Sequence, residues 1–277
     1  MNSLFGFCAL TYAVTWACWM AASAVSGSTT VVWLRGPLIL LGVFAPSLVA
    51  ILLTARRDGM AGLTALLRRL FQWRVPARWY LFAVGYMAAI KLTVALVHRI
   101  ATGAWPQFGQ DAWYMMVAAT VMSTVVGGQA GEEIGWRGYA LPRLESRVGL
   151  ARGSVILGVL WASWHLPLFF MALGADTAGQ SFPLYLLQVT ALSVAMAWLY
   201  RHTNGSLLLT MLMHAAVNNT KDIVPSAVAG ATNQFALSAS LAAWLSLALM
   251  WICAAYFLVR MAALAPQRPA RRAPSAA

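Results

Sequence analysis

The chain has 277 residues, of which 61% are apolar and only 9% are charged. Soluble domains carry about 25% charged residues, so this composition excludes an ordinary water-soluble fold and indicates a protein embedded in lipid. The net charge of +12 does not indicate nucleic acid, because arginines that flank apolar segments reflect the basic excess of cytoplasmic loops. We therefore predict an all-α, polytopic transmembrane helix bundle that binds membrane lipid and no nucleic acid.

Long apolar runs predict about eight membrane-spanning helices, since a helix needs about 20 residues to cross a bilayer. No basic segment precedes the first run, so we predict an uncleaved span there rather than a signal peptide. These runs form one membrane domain over residues 1–264, followed at 265–277 by a basic tail, rich in Ala, Pro and Arg, that is predicted to be disordered. The predicted helices are Leu4–Val25, Pro37–Ala55, Trp79–His98, Ala112–Gly128, Ser154–Leu173, Pro183–Tyr200, Ser206–Asn219 and Leu237–Ala263.

The arginines predict how the bundle is oriented. The segment Ala55–Arg78 holds six arginines and a single acid, Asp58, so it should be cytoplasmic. Eight spans then place most other arginines on the same side and both termini in the cytoplasm. Within this segment, Gly59–Phe71 puts its leucines on one face, which predicts an interfacial helix on anionic lipid, with a plain loop as the alternative. The excess of Arg over Lys is typical of GC-rich bacterial genomes, so we expect the bacterial inner membrane.

Two adjacent glutamates stand out in this acid-poor sequence. Glu132 and Glu133 lie in Gly-Glu-Glu-Ile-Gly-Trp-Arg, which continues the fourth apolar run. Ionisable residues at membrane depth cost several kcal/mol and usually serve a purpose. Glu133 and Arg137 are four residues apart and share a helix face, so they can pair, whereas Glu132 points about 100° away. We predict that Glu133 is a structural partner of Arg137 and that Glu132 is free for chemistry.

Two histidines at membrane depth can join Glu132. His165 lies in the fifth predicted span, four residues after Trp161, and His214 lies in the seventh, four residues before Asn218. At 1.5 Å per residue, His165, His214 and Glu132 lie roughly 16, 12 and 15 Å from the same cytoplasmic face. They can therefore meet in one layer. Interhelical hydrogen bonding is the alternative role for each of these polar side chains.

The order of these motifs resembles a known family. Glu-Glu-x-x-x-Arg, an aromatic residue followed by x-x-x-His, and His-x-x-x-Asn, in that order on separate helices, are similar to the CPBP intramembrane proteases, which include the CAAX prenyl endopeptidase and Abi-type proteins. The resemblance covers roughly Gly131–Asn219 and places the family's core at about 112–222. It departs at Trp161, where the family usually has Phe, and this bears on pocket shape more than on chemistry.

The resemblance implies an intramembrane endopeptidase that cleaves a membrane-associated peptide or protein near the cytoplasmic side. Glu132 would act as general base with His165 to activate a water, and His214 and Asn218 would bind the oxyanion. Glu133, Arg137 and Trp161 would support the site.

The same side chains leave the use of a metal open. One carboxylate and two imidazoles, from Glu132, His165 and His214, suffice for a catalytic zinc with water in the fourth position. The helical zinc signature with two histidines four residues apart is absent from the sequence. A divalent metal, most plausibly zinc, is therefore compatible with the sequence but not required by it.

Two other classes of function stay open at this stage. Lys91 lies in the middle of the third predicted span, and a pairing with Glu132 or Glu133 would suit a proton-coupled transporter. Against a transporter, the sequence has no internal repeat. A non-proteolytic membrane scaffold or bacteriocin-immunity protein could use the same pocket. The sequence gives no indication of the oligomeric state or of whether a substrate is prenylated.

Overall fold

The computed structural model describes residues 3–105, 113–171, 181–223 and 241–263. Each of the eight predicted runs overlaps a helix, no strand occurs in these ranges, and five helices are long and apolar enough to cross a membrane. The predicted all-α membrane bundle is confirmed. Its helices are α1 (Ser3–Val25), α2 (Arg35–Arg68), α3 (Ala77–Thr102), α4 (Trp113–Val126), α5 (Gly128–Glu133), α6 (Leu141–Val148), α7 (Leu150–Trp164), α8 (Phe182–His202), α9 (Leu207–Ile223) and α10 (Leu241–Ala262).

The predicted interfacial helix is part of α2. The chain turns at Gly59, whose φ of 65° is a left-handed conformation that glycine adopts without strain, and then continues as helix to Arg68. The plain-loop alternative for this segment is therefore wrong. Leu66, on the predicted apolar face, is buried beneath Gly138, whereas Met60 is exposed. The protein itself covers part of that face, and contact of the rest with lipid stays a prediction.

The fourth predicted run does not continue as one regular helix. After α4 the chain forms α5 and then a π-helical turn, Ile134–Ala140, before α6. The N–H of Leu141 bonds to the carbonyl of Trp136, five residues back. Pro142 follows in the first turn of α6 and has no N–H for the carbonyl four residues before it, which favours this local rearrangement. Such π segments occur mostly as short interruptions of α-helices, often at functional sites.

Several polar contacts join the connecting segments at one end of the bundle. Arg143 of α6 pairs with Asp58 of α2 at 3.6 Å, between Nη2 and Oδ2. The side chain of Gln72 donates to the Thr203 carbonyl at 2.8 Å, and the Ser206 hydroxyl donates to the Gln72 carbonyl at 2.7 Å. The starts of α3, α7 and α9 therefore lie at the same end, which is also the arginine-rich end.

Some predicted features lie outside the described residues. These are the tail at 265–277, residue 112 at the start of the predicted core and residues 172–180 within it.

Candidate active site

A cavity of about 430 Å³ inside the bundle is lined by all four side chains predicted to be catalytic. Glu132 comes from α5, His165 follows the last residue of α7, and His214 and Asn218 come from α9. Glu132 and His214 are buried, His165 is half-buried and Asn218 is exposed. The convergence expected from their depths in the membrane is thus observed, and the cavity leaves room for a ligand beside them.

Trp161 does more than line this cavity. Its indole Nε1–H donates to Oε2 of Glu132 at 2.6 Å, although the two residues belong to different helices. The guanidinium carbon of Arg137 lies 4.1 Å from the centre of the same ring, a cation–π contact. One face of Trp161 therefore carries the arginine while its edge holds the glutamate. The sequence predicted only pocket lining here, because aromatic spacing does not reveal where an indole N–H points.

Glu133 forms the predicted pair with Arg137. Its Oε1 accepts from Nη1 of Arg137 at 2.7 Å, and both side chains are 0% exposed. The same oxygen also lies 3.0 Å from Nδ1 of His214, a contact that the sequence did not predict. Since a carboxylate oxygen only accepts, Nδ1 is the protonated nitrogen of that bond. The supporting carboxylate therefore orients a candidate catalytic ring as well as balancing a buried arginine.

His165 is held from two directions. Its Nδ1 lies 3.0 Å from the carbonyl of Trp161, which can only accept, so Nδ1 carries the proton. Helix α1 braces the neighbouring residue: the Trp164 indole donates to the Thr15 hydroxyl at 2.8 Å, and the Trp16 indole donates to the Trp164 carbonyl at 2.9 Å. His165 also lines the cavity, so its ring can reach a ligand that binds there.

Helix α2 places the glutamates. The Ser47 hydroxyl donates to the Ala130 carbonyl at 2.9 Å, two residues before Glu132. At Gly135 the π turn after α5 approaches α2 so closely that a Cβ atom would lie 2.6 Å from the backbone of Pro46. Only glycine permits this contact, so Gly135 sets how closely the π turn packs against α2.

Sequence reasoning missed several polar residues of the cavity. Gln129 lies one turn before Glu132, so helical spacing could have found it, and its buried Oε1 has no hydrogen-bond partner in the described structure. Tyr185 and Gln188 of α8 and Ser246 of α10 carry no motif and could not have been found. Lys91 of α3 also lines the cavity.

The predicted zinc ligands meet at one cavity but are not arranged as a metal site. Within the described ranges, no three His, Cys, Asp or Glu side chains form a group that could hold a metal ion. Glu132, His165 and His214 line the same cavity without forming such a group. The donor types suit zinc, whereas their arrangement does not.

Comparisons with known proteins bear directly on this site. Residues 109–220 match the family model described as Type II CAAX prenyl endopeptidase Rce1-like. This segment belongs to the Rce1-like family. A curated relative, CAAX prenyl protease 2 of Methanococcus maripaludis, is 23% identical over 225 residues, which cover 77% of this chain and 82% of the relative. The resemblance predicted from the motifs is confirmed, and the matched segment contains all four cavity residues of the predicted catalytic set.

The chain is therefore a CAAX-protease-type peptidase, integral to a membrane and acting on a peptide substrate. The rival expectation of a transporter depended on a Lys91–glutamate pair. In the ranges that the structure describes, the ion pairs of Glu133 are with Arg137 and His214, and Glu132 bonds to Trp161. Lys91 thus gives no support to a proton-coupled carrier.

Proposed function

We propose that this peptidase hydrolyses a peptide bond inside the cavity by a water that Glu132 and His165 activate, without a metal ion. The observation that carries the proposal is that Glu132, His165, His214 and Asn218, from three separate helices, line one cavity. Geometry within hydrogen-bond reach of a substrate is the first requirement for general acid–base catalysis.

Glu132 is the general base. Trp161 occupies Oε2 from one side, so the carboxylate is held in a fixed rotamer and Oε1 can accept a proton from water. A positioned base of this kind contributes typically about 10²–10⁴-fold to a rate. The water oxygen attacks the scissile carbonyl carbon, and Glu132 takes one of its protons. The same proton can then pass to the leaving amine as the carbon–nitrogen bond breaks.

His165 positions the attacking water. In the tautomer whose Nδ1–H bonds to the Trp161 carbonyl, the ring lone pair is on Nε2, which can accept from a water. A water held between Nε2 of His165 and Oε1 of Glu132 has both hydrogens directed at the protein. Its oxygen lone pair is then free to face the substrate carbonyl.

His214 and Asn218 stabilise the oxyanion. They lie four residues apart on α9 and share one face of it. Asn218 can donate from its amide nitrogen. His214 can donate from Nε2 only when both ring nitrogens carry protons, and the Glu133 carboxylate at 3.0 Å balances the charge of that form. Loss of one oxyanion donor typically costs about 10²–10³-fold in kcat.

The substrate is a membrane-associated peptide that reaches the cavity from the arginine-rich end of the bundle. The arginine excess of Ala55–Arg78 supports a cytoplasmic location for that end and for both termini. The name of the curated relative suggests prenylated peptides as the first substrates to test. A bacterial inner membrane is the expected location.

Cleavage by the purified full chain in detergent tests this proposal. Quenched fluorescent peptides with and without a prenyl group serve as probes, and mass spectrometry locates the cut. Glu132→Ala and His165→Ala should each lower kcat by about 10²–10⁴-fold, because each removes a partner of the reacting water.

Matched controls separate chemistry from folding. Asp58→Asn removes an exposed carboxylate beside the Gly59 turn of α2, and His202→Gln removes a ring at the end of α8, both outside the cavity. Both controls should keep kcat within about twofold. Cleavage that survives in both Glu132→Ala and His165→Ala would contradict the proposed chemistry.

A further inference from the structure

Lys91 is a cation in the active-site cavity for which the proposed chemistry has no use. It projects from α3 into the space that Glu132 and His165 also line, and it is half-buried. In the part of the chain that the structure describes, Lys91 belongs to no ion pair. The carboxylate of Glu132, which lines the same cavity, accepts a hydrogen bond from Trp161.

The position of Lys91 along its helix puts the ammonium at catalytic depth. Helices α3 and α7 both start at the arginine-rich end, at Ala77 and Leu150. At 1.5 Å per residue, Lys91 lies roughly 21 Å from the start of α3, and His165, just after the end of α7, lies roughly 22 Å from the start of that helix. Lys91 therefore lies at the depth of His165 and not near the membrane surface.

The surroundings of Lys91 favour an anionic ligand. On the same helix and on α10 the cavity is lined by Met87, Ser246 and Met250, none of which carries a negative charge. A half-buried charge attracts an opposite charge more strongly than a fully exposed one does. Lysine binds carboxylates as a compact point charge with three donors.

We propose that Lys91 binds a carboxylate of the substrate and so selects which peptides are cut. The inference rests on the proposed peptidase function and adds the specificity of the same site. A cavity of about 430 Å³ is in the size range of small-ligand pockets, so it takes a short peptide segment rather than a folded domain. The carboxylate must then lie within a few residues of the scissile bond. It is either the C-terminal α-carboxylate or the side chain of Asp or Glu.

Matched peptides test the proposal and distinguish the two sources. Three versions of one cleaved peptide are made. The first has a free C-terminal carboxylate and the second has a C-terminal amide. The third has the same amide and carries Glu in place of a neutral residue after the cleavage site. The full chain should prefer one carboxylate form over the neutral amide by about tenfold to a hundredfold in kcat/KM, the range for a hydrogen bond to a charged group. Preference for the free acid identifies the chain terminus, and preference for the Glu peptide identifies an acidic side chain.

Substitution of Lys91 should remove that preference. In Lys91→Met the ratio of kcat/KM between the carboxylate form and the amide should fall to about one, and Lys91→Arg should keep most of it. Lys91→Gln serves as a second neutral variant if Lys91→Met does not fold. Because each ratio is measured within one variant, partial loss of active protein cancels. Arg99→Gln, which removes a positive charge from the exposed end of the same helix, should keep the wild-type ratio.

Two results overturn the proposal: a wild-type chain that cleaves all three peptides equally, or a preference that persists in the neutral Lys91 variants. Both leave the peptidase itself intact, since cleavage still depends on Glu132. A wild-type chain that cleaves no peptide would instead refute the proposed function.

Discussion

Removal of Arg137 alone should destabilise the chain strongly. Arg137→Met leaves the Glu133 carboxylate, which is 0% exposed, with His214 as its remaining partner among the contacts described here. Breaking a fully buried ion pair by removing one partner costs about 3–5 kcal/mol, against about 0–1 kcal/mol for an exposed pair. We expect a loss of unfolding free energy near the upper end of this range, because the substitution also removes the cation–π contact between Arg137 and Trp161. The melting temperature should fall by roughly 10 °C.

The double variant Glu133→Gln/Arg137→Met should be more stable than Arg137→Met. It removes both charges, and the glutamine carbonyl can still accept from Nδ1 of His214. Replacing a whole buried pair is often nearly neutral, so at least half of the lost free energy of unfolding should return. The difference between the double variant and the sum of the single variants measures the coupling of the two side chains.

Thermal unfolding in detergent, followed by circular dichroism, measures Arg137→Met, Glu133→Gln and the double variant beside Asp58→Asn. The Asp58–Arg143 pair joins side chains that are 34% and 24% exposed, so its loss should cost less than about 1 kcal/mol. The reasoning fails if Arg137→Met is as stable as Asp58→Asn. It also fails if the double variant is as unstable as the sum of its parts.

Three further predictions concern the site and its supports. Trp161→Phe removes the hydrogen bond from the indole N–H to Glu132 and keeps an aromatic ring. In peptide cleavage it should lower kcat by about tenfold and keep KM within about twofold. A tenfold rise in KM would instead indicate a packing role. Gly135→Ala should prevent close packing of the π turn on α2 and lower thermal stability and kcat together, whereas Gly85→Ala, whose nearest contact would be at 3.9 Å, should change neither. Prolonged treatment with 1,10-phenanthroline should leave kcat unchanged; inactivation reversed by zinc would assign Glu132, His165 and His214 to a metal.

The fold was predictable because lipid imposes a simple rule on sequence. Backbone groups must be satisfied within each span, so apolar runs translate directly into helices, and all eight predicted ranges overlap one. The break after α4 was not predicted. The π turn before Pro142 depends on which carbonyls lose their partners and how neighbouring helices pack, and hydropathy carries neither kind of information.

The site was predictable at the level of residue identity and not at the level of bonding. Charged and imidazole groups at membrane depth are few, so Glu132, His165 and His214 were readily singled out. Spacing on one helix also predicted the Glu133–Arg137 pair correctly. The bonds from Trp161 to Glu132 and from His214 to Glu133 join different helices, and a sequence contains no distance between helices.

The hydrogen bonds from α1 and α2 mean that the family-matched segment does not form a complete active site by itself. Residues 109–220 carry the family match, yet the groups that brace His165 and Glu132 include Thr15 and Ser47, which lie outside it. A gene fragment that encodes only the matched segment would lack the cavity residues of α1, α2, α3 and α10. In recombination between relatives, the first two helices should therefore be inherited together with the catalytic motifs.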